Sequence, residues 1–600
     1  MTRLFSLFWR GLDAMRRITL NLLFVLGLIM VVAVLVVLSG DRVDVPRGGA
    51  LLVAPAGELV EQRRYVPATS FLFSPSLPPQ TEASDVIDAI RIAADDKRIN
   101  LLVLDLRHMG LARLAMLKEI RAVIADFRQK GKRVIATADT YSQSQYYLAS
   151  SADEVFLHPM GWIAISGFGA YGSYFREALD KLKVDMQVFR VGDFKSAVEP
   201  FTRNEMSEQA RNNAREWLDD LWLVYKEDVA EGRGIEMADI QDYADNLSRH
   251  LAEHQGDTAA TAKAAGLVDD LKARDEVDTR LIELAGMDKE TQHYRHVRYR
   301  DYLRAMDDER SQPRKSKNKV AVIVASGAIM EGDQPAGLTG SDTTVALIRD
   351  ARESDEVKAL LLRIDSPGGT AMASEIIRRE LELTRQQGKP VVVSMGSTAA
   401  SGGYWIATSA DEIWASEATL TGSIGIFGIM PHVHRSLAAL GIHSDGVGTT
   451  RISGSLDPRR PANDEASRAM QLAIEDGYRR FIRRVSEGRG MGVEAVEKVA
   501  QGRVWSGTDA LQLGLVDNLG GMREAAAAAA ELAGLGQDFE LMRVSRQPKF
   551  MELLMQNFAA WFPSQSFSGE LEESFQQAFE PLLQLGRGMG VYALCLCDSP

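Results

Sequence analysis

The sequence predicts an α/β protein in which one unit is written twice, and three observations predict it. First, "QYYLASSADEVFL" (Gln145 to Leu157) and "GYWIATSADEIWA" (Gly403 to Ala415) align with Gln145 opposite Gly403. Tyr146, Ala149, Ser151, Ala152, Asp153 and Glu154 are identical to their partners. Second, "EGRG" at 231 returns at 487, and "GLVDD" at 266 answers "GLVDN" at 514, in the same order. Third, each copy alternates short apolar runs with segments of helical period, which implies βαβ units and a largely parallel sheet. Six hundred residues are also too many for one core.

Taken in order, the chain opens with a short basic stretch, residues 1–19, carrying Arg3, Arg10, Arg16 and Arg17. The uncharged run "LNLLFVLGLIMVVAVLVVL" follows at residues 20–38. At ~1.5 Å per helical residue this run spans about 28 Å, close to the hydrocarbon thickness of a bilayer. A cleaved secretory signal would have a shorter apolar region, and "LSGDR" is a poor cleavage site, so an uncleaved transmembrane anchor is expected. The arginines keep the N-terminus cytoplasmic and send the rest across the membrane, in a bacterium to the periplasm.

The first repeat is read over 45–306. "INLLVLDL" (Ile99 to Leu106) is a buried strand, followed by a helix with Leu117, Ile120, Ile124 and Phe127 on one face, and by the strand "RVIATAD". The polar stretch 307–319 is the linker. The second repeat, 320–545, runs from "VKALLLRID" through a helix bearing Ile376, Ile377, Leu381 and Leu383 to "PVVVSM". Residues 546–600 form a C-terminal extension. Its stretch Phe550 to Phe562 is amphipathic, and both subunit packing and a place on the membrane surface are open for it.

Composition removes several classes of function. A net charge of −13 argues against nucleic acid, which needs a basic face. The two cysteines, Cys595 and Cys597, cannot build a disulfide framework or a four-ligand zinc site, and are read as incidental thiols. No metal or nucleotide constellation stands out, and "DSPGG" lacks the lysine of a phosphate-binding loop, so no cofactor is expected.

The copies differ in an informative way. The second has "DSPGG" (Asp365 to Gly369) where the first has "DLRHM", and Ser401 in "STAASGGYW" stands opposite Gln143. A serine nucleophile needs backbone N–H groups aimed at the developing oxyanion, and glycines let the backbone approach a substrate. The base is missing there, but "VGDFKSAVEP" in the first copy carries Lys195 opposite Ser453 of the second. Alone, Lys195 reads as a solvated lysine and Ser401 as a helix N-cap. Their complementary loss suggests one site assembled from both halves.

"DSPGG", "STAASGGYW", "TLTGSIGIFG" and "VGDFKSAVEPF" resemble the motifs of the signal peptide peptidase A (protease IV) family in its long, duplicated, membrane-anchored form. The resemblance runs over roughly residues 15 to 540. It implies tandem Clp protease/crotonase-like domains and a serine–lysine dyad, with Ser401 as nucleophile and Lys195 as general base. It also implies cleavage of signal-peptide remnants at the inner membrane, and a homotetramer.

The dyad sets chemical requirements. A lysine acts as a base only when neutral, and burial lowers its pKa. Phe194, Ala197, Val198 and Phe201 supply apolar neighbours, and Glu199 is expected to point away from the amine. The N–H groups of Gly368 and Gly402 are the expected oxyanion donors, and the Ser423 hydroxyl is a candidate to hold the amine in register. A histidine base, His432 or His434 of "PHVHR", is the competing mechanism. A non-catalytic membrane scaffold and a crotonase-type acyl enzyme are the competing classes.

Overall fold

The computed structural model describes residues 44–65, 78–310, 318–545, 592–595 and 597, together with 9, 13–22, 24, 25, 27 and 28 near the start. The first half lays down β1 (Gly49–Val53), α1 (Ala83–Asp95), β2 (Ile99–Asp105), α2 (Leu114–Gln129), β3 (Arg133–Ala138), α3 (Gln143–Ala149) and β4 (Glu154–Leu157). It continues with β5 (Asp185–Val191), the long α4 (Glu208–Arg233), β6 (Asp270–Leu271) and β7 (His296–Arg298). Six of these strands form a parallel sheet in the order β6-β4-β3-β2-β1-β7. β5 is not among them.

The second half repeats the plan with β8 (Lys319–Ser326), α5 (Ser341–Glu353), β9 (Val357–Ser366), β10 (Gly368–Thr370), α6 (Ala371–Gln386) and β11 (Val391–Ala400). Then come α7 (Gly402–Ala407), β12 (Glu412–Ala415), β13 (Leu420–Gly422), β14 (Ile426–His432), α8 (Asp464–Arg489), β15 (Val504–Ser506), β16 (Glu540–Arg543) and β17 (Tyr592–Leu594). Its sheet runs β15-β13-β11-β9-β8-β16, with β12 beside β11, and only the β13–β15 pair is antiparallel. β9 and β11 are buried along almost their whole length, as expected for parallel strands covered on both faces.

The duplication is geometric as well as textual. α2 and α6 have 16 residues each, and α4 and α8 have 26 each, the latter two ending on left-handed Gly234 (φ 65°) and Gly490 (φ 61°). The identical residues do identical work. Asp153 accepts from the Val134 N–H as Asp411 accepts from that of Val391. The Tyr146 and Tyr404 hydroxyls donate to Leu267 and Leu515 carbonyls, both at 2.7 Å.

A third sheet joins the halves. Its order is Thr339–Gly340, Ile329–Met330, β10, β17, β14, β5, so a strand of the first half is the neighbour of β14 in the second. β5 and β14 pair antiparallel over seven residues, from Ile426 opposite Val191 to His432 opposite Asp185. Elsewhere, Arg363 of β9 bonds Glu119 of α2 at 2.6 Å and Glu61 at 2.5 Å, a buried ionic cluster between the halves.

Some expectations meet the edge of the described residues. In the apolar run 20–38, residues 20–22, 24, 25, 27 and 28 are helical and the rest lie outside the description. Among the described residues no helix is long and apolar enough to cross a membrane. Phe550 to Phe562 lie outside as well. The helix Tyr299–Arg310 takes in the first residues of the expected linker. One expectation is corrected: Cys595 and Cys597 are not incidental thiols but are joined in a disulfide.

Candidate active site

The strand β11 ends at Ala400, the chain turns sharply, and α7 starts at Gly402. Ser401 stands on that turn with φ 55°, a left-handed conformation uncommon for a residue with a side chain. It occupies the N-cap position of α7, yet its hydroxyl makes no capping bond to the helix, so the harmless role open to it is not the one it fills. Its N–H is held by the Gly422 carbonyl at 2.8 Å.

Lys195 comes from the short connection after β5, just ahead of a single 3-10 turn at Ser196–Val198. The β5–β14 pairing delivers it to the second half. Its Nζ lies 2.8 Å from Ser401 Oγ, across 206 residues of sequence, and 3.0 Å from both the carbonyl oxygen and Oγ of Ser423. Both side chains are buried, Ser401 at 0% and Lys195 at 1% exposure. Burial lowers the lysine pKa to about 7.

The surroundings explain that shift. Ala197, Val198 and Phe201, which follow the lysine in the chain, pack with Phe427 and Ile429 in one apolar cluster. Phe194 instead lies under the Arg503 guanidinium, 5.2 Å from its ring centre. Glu199 is buried, but its carboxylate accepts from the Ser207 N–H at 2.9 Å, which occupies it away from the amine as expected.

The two expected oxyanion donors abut. A Cβ placed on Gly368 (φ 102°) would come within 2.7 Å of the Gly402 nitrogen. Gly402 is the first residue of α7, so its N–H has no acceptor within the helix. The Gly368 N–H donates to Ser366 Oγ at 3.1 Å, so serving an oxyanion would require it to leave that partner.

Sequence reasoning missed the residues that make room for the lysine. A Cβ on Gly502 (φ 82°) would lie 2.6 Å from the Lys195 nitrogen, and one on Gly425 would lie 3.2 Å from Lys195 Cδ. The Phe194 N–H donates to the Gln501 carbonyl at 2.9 Å, strapping the lysine turn to the second half. Gly425 lay within the quoted "GSIG" stretch, whereas nothing in the sequence marks Gly502. Ser366 was likewise passed over inside "DSPGG".

The histidines are elsewhere in their bonding. The His432 ring nitrogens face the Arg460 carbonyl at 2.8 Å and Gln187 at 3.2 Å, and His434 lies 4.0 Å from Asp185. Among the described residues, no group of three or more His, Cys, Asp or Glu is arranged to hold a metal ion.

Comparison with known proteins gives the family. The model of the family described as peptidase family S49 matches residues 126–288 and again 383–536. Protease 4 of Salmonella typhi is 40% identical over 586 residues, covering 96% of this chain and 91% of that protein. Protease 4 of Haemophilus influenzae is 40% identical over 536 residues, covering 88% and 87%. Among solved structures, a point mutant of ClpP1 from Listeria monocytogenes covers 34% of this chain and 94% of its own at 16% identity, with a TM-score of 0.23. Two matches to one family model, and identity spread over nearly the whole length, make this chain a member of peptidase family S49, a serine protease with the family domain duplicated.

Proposed function

We propose that the protein is a membrane-anchored endopeptidase that degrades signal-peptide remnants with a Ser401–Lys195 dyad. The observation that carries the reading is the 2.8 Å approach of Lys195 Nζ to Ser401 Oγ within a buried site. A neutral amine has two N–H groups and one lone pair. The two Ser423 acceptors, at 3.0 Å each, take the N–H groups and leave the lone pair toward the Ser401 hydroxyl.

In this mechanism the amine removes the hydroxyl proton as Oγ attacks the scissile carbonyl carbon. The oxyanion forms beside Gly402 and Gly368. The ammonium then protonates the leaving amine as the C–N bond breaks and an acyl-serine remains. Water attacks the acyl carbon, giving its proton to Lys195, which returns it to Ser401. Ser423 touches the base and holds it in register.

Exposed Leu20, Leu22, Phe24, Val25 and Leu28 on the N-terminal helix support an anchor in the inner membrane, with the protease halves in the periplasm. A tether of that kind raises the encounter rate with apolar peptides left in the bilayer. A homotetramer is supported by the unequal use of the repeats. The first half lends β5 to the second, while the equivalent stretches 168–174 and 443–449 form no strand and expose Tyr171 and Val447. Those surfaces suit the same exchange between copies.

Turnover of a fluorogenic apolar peptide by detergent-solubilised protein tests the dyad. Loss in both Ser401→Ala and Lys195→Ala, with retention in His432→Ala and His434→Ala, is the expected pattern. Retention in Lys195→Ala removes the dyad.

A further inference from the structure

The most distant part of the sequence lies against the nucleophile. β17 sits between β10, the glycine strand beside Ser401, and β14, the strand that leaves Ser423. It is antiparallel to both. Gly368 faces Leu594, Gly369 faces Ala593 and Thr370 faces Tyr592, and on the other edge Phe427 faces Tyr592. The Cys595 N–H donates to the Pro367 carbonyl at 2.7 Å, extending the ladder by one more residue. Neighbouring strands lie about 4.8 Å apart, so β10 and β14 leave between them a slot about 10 Å wide, the width of one extended chain.

The segment fills this slot as a bound peptide would. Tyr592 and Leu594 pack with Ala197, Val198, Phe201, Phe427 and Ile429, the apolar wall that carries the lysine. Tyr592 stacks on Phe427 with ring centres 5.8 Å apart. Ala593, fully buried, and Cys595 alternate to the other face, where Cys595 belongs to the core that includes Ala400. The Ala593 carbonyl oxygen lies against both glycines. A Cβ on Gly368 would collide with it, and one on Gly402 would stand 2.9 Å away. With the strand in place Ser401 and Lys195 have essentially no exposure, so no second chain can reach them.

We propose that the 592–595 segment is a resident occupant of the peptide groove, docked by β-strand addition, and that a peptide from outside binds only when this strand has left. The proposal rests on the reading of Ser401 as nucleophile, because that reading makes the slot the substrate groove. Strand addition draws affinity from main-chain hydrogen bonds and selectivity from alternate side-chain pockets. The groove therefore takes extended apolar peptides with small residues at alternate positions, as Ala593 and Cys595 are. An occupant docked nine-tenths of the time lowers the apparent affinity for any competitor about tenfold.

The test is a binding measurement that needs no catalysis. A dye-labelled peptide copying residues 590–597, with serine for both cysteines, is titrated by fluorescence anisotropy into Ser401→Ala protein. Three forms are compared: the full chain, a chain ending at 545, and a full chain carrying Leu594→Asp, which puts a charge into the apolar wall. The expected result is binding at least about tenfold tighter to the last two than to the first. Should the truncated chain fail to fold, the Leu594→Asp form decides. Equal binding to all three forms, or none to any, overturns the proposal. Turnover retained by Lys195→Ala would instead defeat the dyad while leaving the binding result standing.

Discussion

The N–H of Ser401 donates to the carbonyl of Gly422 at 2.8 Å, and that bond pins Ser401 at φ 55° and ψ −110°. A side chain held there costs on the order of 1–3 kcal/mol, a cost kept where surrounding structure over-determines the backbone. β13 supplies the constraint, pairing with β11 up to Ala400 opposite Gly422. The turn aims Oγ at the lysine rather than at the helix it precedes.

Ser401→Gly should therefore remove turnover and yet raise stability by about 1 kcal/mol, since glycine adopts this backbone freely. Urea unfolding of the two proteins measures the difference. A less stable glycine variant would mean the turn is not strained.

Gly502→Ala tests the space made for the base. The added methyl would press on the Lys195 backbone at a residue already in left-handed conformation. A displacement near 1 Å of a catalytic group costs about 100-fold in rate, so kcat should fall by about that factor with KM little changed. Steady-state kinetics on an apolar peptide separates the two constants.

Arg363 bonds carboxylates of the first half, at the junction across which Lys195 reaches Ser401. Burial raises the Glu119 pKa and Arg363 opposes that rise, so removing the guanidinium leaves carboxylates buried without their counter-charge. Arg363→Met should destabilise by about 3–5 kcal/mol at neutral pH. The loss should shrink as pH falls and the Glu119 carboxyl protonates. Glu119→Gln in the same chain should recover part of it, which urea unfolding at two pH values would reveal.

The lysine itself carries a stability cost with a defined pH window. Its folded pKa, about 7, lies below the ordinary lysine value. The cost of burying the charge is therefore fully present below pH 7. It declines as pH rises and is gone above the unfolded value of about 10.4, each tenfold change in proton affinity being worth about 1.4 kcal/mol. Lys195→Met should be inactive but more stable than the parent at pH 7, with the advantage vanishing toward pH 10. Thermal melts across that range check it.

How much of this was legible depended on whether a feature was local. Asp153 and Asp411, or Tyr146 and Tyr404, make bonds set by the repeat itself, so the duplication exposed them. Lys195 and Ser401 were singled out because each lacked its counterpart in the other copy, and they lie 2.8 Å apart. That β5 would cross to β14 was not legible, because strand exchange depends on which edges remain open after both sheets form. Gly502 and the 592–595 strand act only through approaches between segments far apart in sequence, and no local pattern marks such an approach. Ser423 was nominated as a holder of the amine, and its two oxygens lie 3.0 Å from Nζ.

The measurement that bears most directly on the base is the rate of covalent labelling of Ser401 by a serine-directed phosphonate, followed against pH in the parent and in Lys195→Ala. Both proteins keep Leu594, so that the C-terminal strand and the burial it gives the amine are the same in each. The rate in the parent should rise through a midpoint near pH 7, and in Lys195→Ala it should fall about 100-fold or more and lose that midpoint. The same rate and the same midpoint in both proteins would contradict the account.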